Sequence, residues 1–372
     1  MSAKTASRTA DRPVPWVEKY RPQSLDELSS QDHVVNVLKR TMGSANLPHM
    51  LFYGPPGTGK TSTILALAKE LYGPDLAKTR VLELNASDDR GISIIRDKVK
   101  NFARSAISKP ARPAGAFFGK AGAAAARPED TYPCPPFKIV ILDEADSLTA
   151  DAQSALRRTM ETYTKLTRFC IVCNYVTRII PPLASRCAKF RFRALDAGDA
   201  VARIEYICGA EGVPLGAGAA AAVVAAAAGD LRRGITLLQG VAGLVAAETA
   251  ADADADGDVA MGAHEVTVAD IEDVAGLVPA AVVDGLVAAC RGTGPLEAVV
   301  GAAVLDGWSA GQVVLQLHDA LIFSDSLAAA EKNQIARALG EADKRLVDGA
   351  DEELVLLDLA VCVREALTPA SK

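Results

Sequence analysis

Long apolar runs are missing from the sequence. Residues 212–229 form an uncharged stretch barely long enough to span a bilayer, but it is mostly Ala and Gly with Pro214 inside it. Residues 114–126 are shorter and interrupted by Lys120. Neither reads as a membrane span, and no membrane partner is expected. Residues 1–15 are rich in Ser, Thr and Ala with scattered charge and hold no apolar signal core, so an intracellular soluble protein is expected. An excess of positive charge is missing too. With 40 Lys and Arg against 46 Asp and Glu, the formal net charge of −6 argues against a uniformly basic nucleic-acid binder and leaves room for a local basic face. A disulfide framework is also absent: the 7 cysteines are odd in number and scattered, which fits reduced thiols. Cys170 and Cys173 form a C-x-x-C pair, but no second pair at similar spacing exists to complete a metal site. The pair lies inside Arg168-Phe169-Cys170-Ile171-Val172-Cys173, which reads as a buried strand.

What is present fills two or three domains, because 372 residues exceed the usual size of one. From about Val14 to Phe192 short apolar strands alternate with amphipathic helices, the pattern of a parallel sheet covered on both faces, so the fold class is α/β. Candidate strands are residues 49–53, 80–85, 137–142, 169–173 and 189–192. After Phe192 the strand signal stops and helical period takes over. The expected organisation is a disordered N-terminus (1–14), a sheet-containing domain (15–193), a helical domain (194–250), an acidic low-complexity linker (251–264) and an all-helical domain (265–368). Residues 105–136 interrupt the first domain with an Ala/Gly/Pro-rich insert that offers little to bury.

The strongest functional signal is Gly54-Pro55-Pro56-Gly57-Thr58-Gly59-Lys60-Thr61, which matches G-x-x-x-x-G-K-[ST] at every fixed position between an apolar run and a helix-like one beginning at Ser62. Glycines let the backbone curl with its N–H groups inward, and the following helix adds the positive end of its dipole, so a triphosphate is held mainly by main chain. In such a loop Lys60 reaches the β- and γ-phosphates and Thr61 ligates Mg²⁺, which makes ATP and Mg²⁺ the expected cofactors. Residues 137–142 then deliver Asp143 and Glu144 at the carboxyl end of an apolar strand. That placement sets Asp143 near the metal held by Thr61 and leaves Glu144 to orient and deprotonate the attacking water. An ordinary helix N-cap is the structural alternative, and the phosphate loop upstream favours catalysis.

Asn174 ends the strand 169–173 and is placed to bond the γ-phosphate or the lytic water. Arg186, in Ser185-Arg186-Cys187 beside Pro181-Pro182, has the exposed setting of an arginine finger, and Arg232 begins a helix of the second domain. Exposed structural salt bridges account for either arginine equally well from chemistry alone. Arg96, Lys100 and Arg104 fall at i, i+4 and i+8 on one helix face, with Arg90 and Lys98 nearby; a solvated face is the usual reading of such a row. Asp143-Glu144-Ala145-Asp146 also spells the signature of the DEAD-box RNA helicases, but those need a second sheet domain that the helical second half does not offer.

Taken with Trp16-Val17-Glu18-Lys19-Tyr20-Arg21-Pro22, Leu84-Asn85-Ala86-Ser87-Asp88-Asp89-Arg90-Gly91 and Leu156-Arg157-Arg158-Thr159-Met160-Glu161, these residues resemble the AAA+ ATPases, and among them the small subunits of the sliding-clamp loader replication factor C. The resemblance covers nearly the whole chain, the two low-complexity stretches excepted. It implies a RecA-like sheet domain, a helical lid and a helical collar that joins five different subunits in a nuclear hetero-pentamer. It places Val17 and Arg21 beside the adenine, with backbone near Ser29 closing the pocket, and makes Asn174 and Arg232 the two sensors. Arg186 becomes a finger acting on a neighbouring subunit's ATP. The sliding clamp and primer–template DNA become partners, with Arg90, Arg96, Lys100 and Arg104 on the DNA backbone. Two other readings stand against it. An AAA+ factor that remodels proteins usually carries aromatic pore loops, for which the sequence holds no candidate, and a non-hydrolysing scaffold has no need of Lys60, Asp143 and Glu144 together.

Overall fold

The computed structural model describes residues 14–28, 31–43, 47–87, 92–105, 132–255 and 265–367, and for residues 43, 92–96 and 248–255 it describes the backbone alone. Two compact units result, Met1–Glu265 and Val266–Lys372. In the first, β1 (Met50–Tyr53), β2 (Val81–Asn85), β3 (Lys138–Asp143), β4 (Thr167–Cys173) and β5 (Ala188–Arg191) form one sheet in the order β2-β3-β4-β1-β5. Every pairing is parallel. All five anticipated strands are present, with ends moved by one or two residues.

Around the sheet lie α1 (Trp16–Lys19), α2 (Asp32–Gly43), α3 (Lys60–Arg80), α4 (Ile92–Arg104), α5 (Ala150–Tyr163) and α6 (Pro181–Ala184). Successive residues of a strand face opposite sides, and here each side has its own core. Met50 and Phe52 of β1 join Ile64, Leu67 and Tyr72 of α3, whereas Leu51 joins Leu156 and Met160 of α5. The same alternation separates the two cysteines of β4. Cys170 belongs to the α3 side and Cys173 to the α5 side, so the thiols diverge and share no metal. Burial pushes the Cys173 thiol up to about 12. Helix α3 is broken where Gly73 takes φ 72° and ψ 167° ahead of Pro74.

Residues 106–131 of the anticipated insert lie outside the described residues. Its final residues are anchored: Cys134 N–H donates to the Leu71 carbonyl at 3.0 Å, and Arg80 Nη1 donates to the Pro135 carbonyl at 3.0 Å.

Three helices follow the sheet in the first unit: α7 (Ala197–Glu211), α8 (Ala219–Ala226) and α9 (Leu231–Ala255). Helix α9 runs five residues into the acidic stretch assigned to the linker, because Ala and Asp alternate there with no breaker before Gly257. The second unit consists, among the described residues, of α10 (Val268–Ala275), α11 (Ala280–Cys290), α12 (Leu296–Leu305), α13 (Ala310–Ile322), α14 (Ala329–Val347) and α15 (Glu352–Leu367). Val300, Val313, Leu317, Ile335, Leu339, Leu356 and Leu359 share its core. Among the described residues no single helix is long and apolar enough to cross a membrane.

His49, just before β1, accepts the Phe169 N–H on Nδ1 at 3.1 Å. Burial pushes its imidazole down to about 4, and the Arg168 charge acts in the same sense. A folded-state pKa below the unfolded value near 6.5 means that the unfolded chain binds the proton first. Stability is therefore fully present above about pH 6.5 and falls as pH drops toward 4, by on the order of 1 kcal/mol at pH 5 given the group's partial exposure. His49→Gln is expected to flatten this part of the melting temperature against pH curve; an unchanged slope would assign the acid sensitivity elsewhere.

Candidate nucleotide site

The carboxyl ends of β1, β3 and β4 point the same way and bring the site together. After β1 the chain enters the glycine-rich loop, where two glycines are required by what surrounds them. A Cβ on Gly54, at φ 151°, would come within 2.3 Å of the Phe192 carbonyl oxygen where β5 exits. A Cβ on Gly57, at φ 70°, would come within 1.9 Å of Asp230 Oδ1, just ahead of α9. The loop is thus wedged between sheet and lid. Thr58 Oγ1 donates to the Pro55 carbonyl at 2.9 Å and ties the loop across its width. Pro56 is exposed at its outer edge.

Lys60 opens α3 and is buried, with Nζ donating to the carbonyls of Gly54 at 2.9 Å and Pro55 at 2.7 Å. Burial pushes its ammonium down; the Asp143 carboxylate opposes that shift, and the Arg232 charge adds to it. Thr61 Oγ1 donates to Asp143 Oδ2 at 2.7 Å. A hydroxyl and a carboxylate at this separation are hard oxygen donors that suit Mg²⁺, which takes one or two protein oxygens and completes its shell with phosphate and water. Asp143 Oδ1 accepts the Glu144 N–H at 2.9 Å. Glu144 itself stands at φ 51°, ψ 38°, a left-handed conformation that costs a non-glycine residue roughly 1–2 kcal/mol. Ser147 holds it there by donating N–H at 2.9 Å and Oγ at 2.8 Å to the Glu144 carbonyl. Its side chain is exposed at the end of β3. Asp146 Oδ2 receives the N–H groups of Asn174 at 3.3 Å and Tyr175 at 3.4 Å, which ties the end of β4 to the same corner.

A cleft beside the loop is lined by Val17, Arg21, Gly57, Thr58, Gly59, Ser62 and Arg232, all anticipated as nucleotide-binding. Ser29 lies outside the described residues. Tyr20, Leu28, Leu195, Arg203, Leu231 and Ile235 also line the cleft and were not anticipated. Arg203 and Ile235 are single residues on lid helices that carry no motif of their own, and Tyr20 stands inside a recognised string without having been given a role.

Arg186 lies apart from this cleft, just after α6. Its Nη1 donates to the Pro182 carbonyl at 2.7 Å and its Nη2 pairs with Glu161 Oε1 at 2.6 Å. The same Glu161 oxygen accepts Arg157 Nε at 3.1 Å. Of the basic row, Arg90 lies outside the described residues and Arg96 is described by its backbone alone. Lys100 is half-buried on α4, and Arg104 Nε donates to the Tyr163 hydroxyl at 3.0 Å.

Sheet order, loop and carboxylate define an ATPase of the AAA class, and residues 50–195 match the model of the ATPase family associated with various cellular activities. Residues 278–362 match the replication factor C C-terminal domain, and residues 8–89 the Rad17 P-loop domain. The chain belongs to the replication factor C small-subunit family. It is 52% identical over 366 residues to replication factor C subunit 2 of Saccharomyces cerevisiae, spanning 98% of this chain and 96% of that protein. It is 48% identical over 359 residues to replication factor C subunit 4 of Homo sapiens, spanning 96% and 90%. Relatives named subunit 2 and relatives named subunit 4 both match this chain at about half identity. Among solved structures, the RuvB Holliday junction branch migration motor of Thermotoga maritima superposes with a TM-score of 0.50 at 17% identity, covering 80% of this chain and 90% of that one. That likeness concerns the fold alone.

Gly57→Ala is expected to separate lid from loop, since the added methyl meets Asp230 and the left-handed φ is strained by about 1–2 kcal/mol. A lower melting temperature and weakened ATP binding in an equilibrium titration check this; parent-like values of both would contradict the close approach.

Proposed function

We propose that this chain is an ATPase subunit of the sliding-clamp loader, using ATP binding and hydrolysis to open the clamp and place it on primer–template DNA in the nucleus. The observation that carries the reading is the coexistence, in one chain, of the Lys60–Thr61–Asp143–Glu144 corner and the C-terminal domain named for replication factor C. Backbone N–H groups of Gly57, Thr58, Gly59 and Lys60, at the start of α3, bind the triphosphate, with the Lys60 side chain adding a positive charge. Thr61 and Asp143 would hold Mg²⁺, which would supply charge neutralisation to the bound triphosphate. Glu144 takes a proton from the attacking water, and Asn174 orients that water or the γ-phosphate. Arg232 reaches the phosphates from the lid, and Val17 and Arg21 flank the base. For Lys60 to do this it must release the Gly54 and Pro55 carbonyls.

Arg186 serves a neighbouring subunit's ATP, which is why it stands outside the cleft of its own chain. The other replication factor C subunits are then required partners in a hetero-pentamer. Arg90, Arg96, Lys100 and Arg104 contact DNA phosphates without reading bases. Arg104 brings the Tyr163 hydroxyl with it as a second donor group.

Lys60→Ala is expected to abolish ATP binding by this subunit, because the phosphates lose their point charge in a site otherwise made of main-chain donors. Glu144→Gln is expected to keep ATP binding and lose hydrolysis, by about 10²-fold or more, in a complex reconstituted with the other subunits, clamp and DNA. Undiminished affinity in the first variant, or parent turnover in the second, would remove the corresponding assignment.

A further inference from the structure

In the segment that forms one wall of the nucleotide cleft, none of the residues of α1 is fully buried. Polar contacts hold it, and they come from the lid. Glu211 closes α7, and its Oε1 accepts both Lys19 Nζ and the Tyr20 hydroxyl, each at 2.6 Å. Arg203, two turns earlier on the same helix, donates to the Tyr20 carbonyl at 2.8 Å. Tyr206 meets the Tyr20 ring edge-on with centroids 6.4 Å apart. Trp16 N–H donates to Gln239 Oε1 of α9 at 3.0 Å. Only beyond Arg21 does the chain change partner, where Gln23 accepts from Lys69 and Leu25 N–H donates to Glu70 Oε1 at 2.7 Å, both on α3.

Nothing local favours an acid at the last residue of α7. A carboxylate there faces the negative end of the helix dipole, and its side chain is only 17% exposed. Two short charge-assisted hydrogen bonds offset that cost. Lys19, with half its side chain in solvent, adds little to an ion pair. The Tyr20 hydroxyl is therefore the consequential partner, and Tyr20 lines the cleft that Glu211 does not reach.

We infer that Glu211 is a positioning residue for the nucleotide cleft: by holding Tyr20 it fixes the wall formed by Val17, Tyr20 and Arg21 to the lid, and it sets ATP affinity without touching ATP. This rests on the reading of the cleft as the ATP site. Its consequence is that base-side contacts and the lid move as one body, so nucleotide entering the cleft engages α7 and α9 together.

The test is ATP affinity by equilibrium titration of the full chain, with turnover at saturating ATP in the reconstituted complex, for Glu211→Ala, Tyr20→Phe and the pair. Glu211→Ala is expected to raise the Kd about tenfold, the loss of one hydrogen bond to a charged group, with turnover at saturation unchanged. Tyr20→Phe, which removes the same hydrogen bond, is expected to raise the Kd to a similar degree. The double variant should bind no more weakly than Glu211→Ala, because both changes remove the same contact. A parent-like Kd in Glu211→Ala, losses that add in the double variant, or a fall in saturated turnover would overturn the inference. Should Glu211→Ala fail to fold, Tyr20→Phe carries the test alone, since it keeps the ring and removes only the donor; parent-like affinity there overturns it equally. Lys60→Ala run in parallel separates the two readings. If it also binds ATP normally the cleft is not the ATP site, whereas loss of binding there with a normal Glu211→Ala confines the failure to Glu211.

Discussion

The hydrogen bond from Thr61 Oγ1 to Asp143 Oδ2, at 2.7 Å, is the interaction on which the rest of the site depends. It joins the start of α3 to the end of β3 across β4, which lies between β1 and β3 in the sheet. A parallel sheet delivers all its carboxyl ends to one edge, and ligands bind there in such folds. Register then decides which side chains meet. Tyr53 pairs with Cys173 and Asn85 with Asp143, so the phosphate loop, Asn174 and Asp143 leave the sheet at one level. Asp143 is held through both oxygens, and Glu144 beside it takes a left-handed turn that Ser147 secures. Strained backbone of this kind gathers at functional sites.

The lid completes what the sheet begins, and does so from two directions. Asp230 accepts the N–H of Arg232 at 2.9 Å and so caps α9 while its carboxylate rests against Gly57. On the other side the α1 segment hangs from α7 and α9 through Glu211, Arg203 and Gln239. The cleft is therefore walled by lid-borne groups on two sides and by the phosphate loop on the third. A nucleotide held in that cleft would touch lid and phosphate loop together.

Much of this was legible in the sequence where the signal is local. Strands show as short apolar runs, and the phosphate loop shows because its glycines and lysine are contiguous. Asp143 and Glu144 are readable because an apolar strand ends on them. Strand periodicity also resolves Cys170 and Cys173, since residues three apart in a strand face opposite ways. What could not be read is contact across long separations. Glu211 and Tyr20 are 191 residues apart, and neither carries a mark of the other. Glu161 ends a string that carries the family resemblance, but its grip on Arg186 depends on the path of the chain through β4 and α6. Asp230 reads as a helix cap, which it is; that the same carboxylate abuts Gly57 follows only from how the lid sits on the loop.

The proposed role has this chain both hydrolyse ATP and complete a neighbour's site. Its most direct test is single-turnover hydrolysis in reconstituted complexes where only the neighbour receiving Arg186 retains a working phosphate loop. Fingers of this kind contribute on the order of 10³-fold or more in other nucleotide hydrolases. Arg186→Ala should therefore slow that turnover by a comparable factor while leaving ATP binding by the isolated chain intact. Normal turnover would mean that Arg186 is a surface arginine paired with Glu161, and that the two subunits do not share an active site through it.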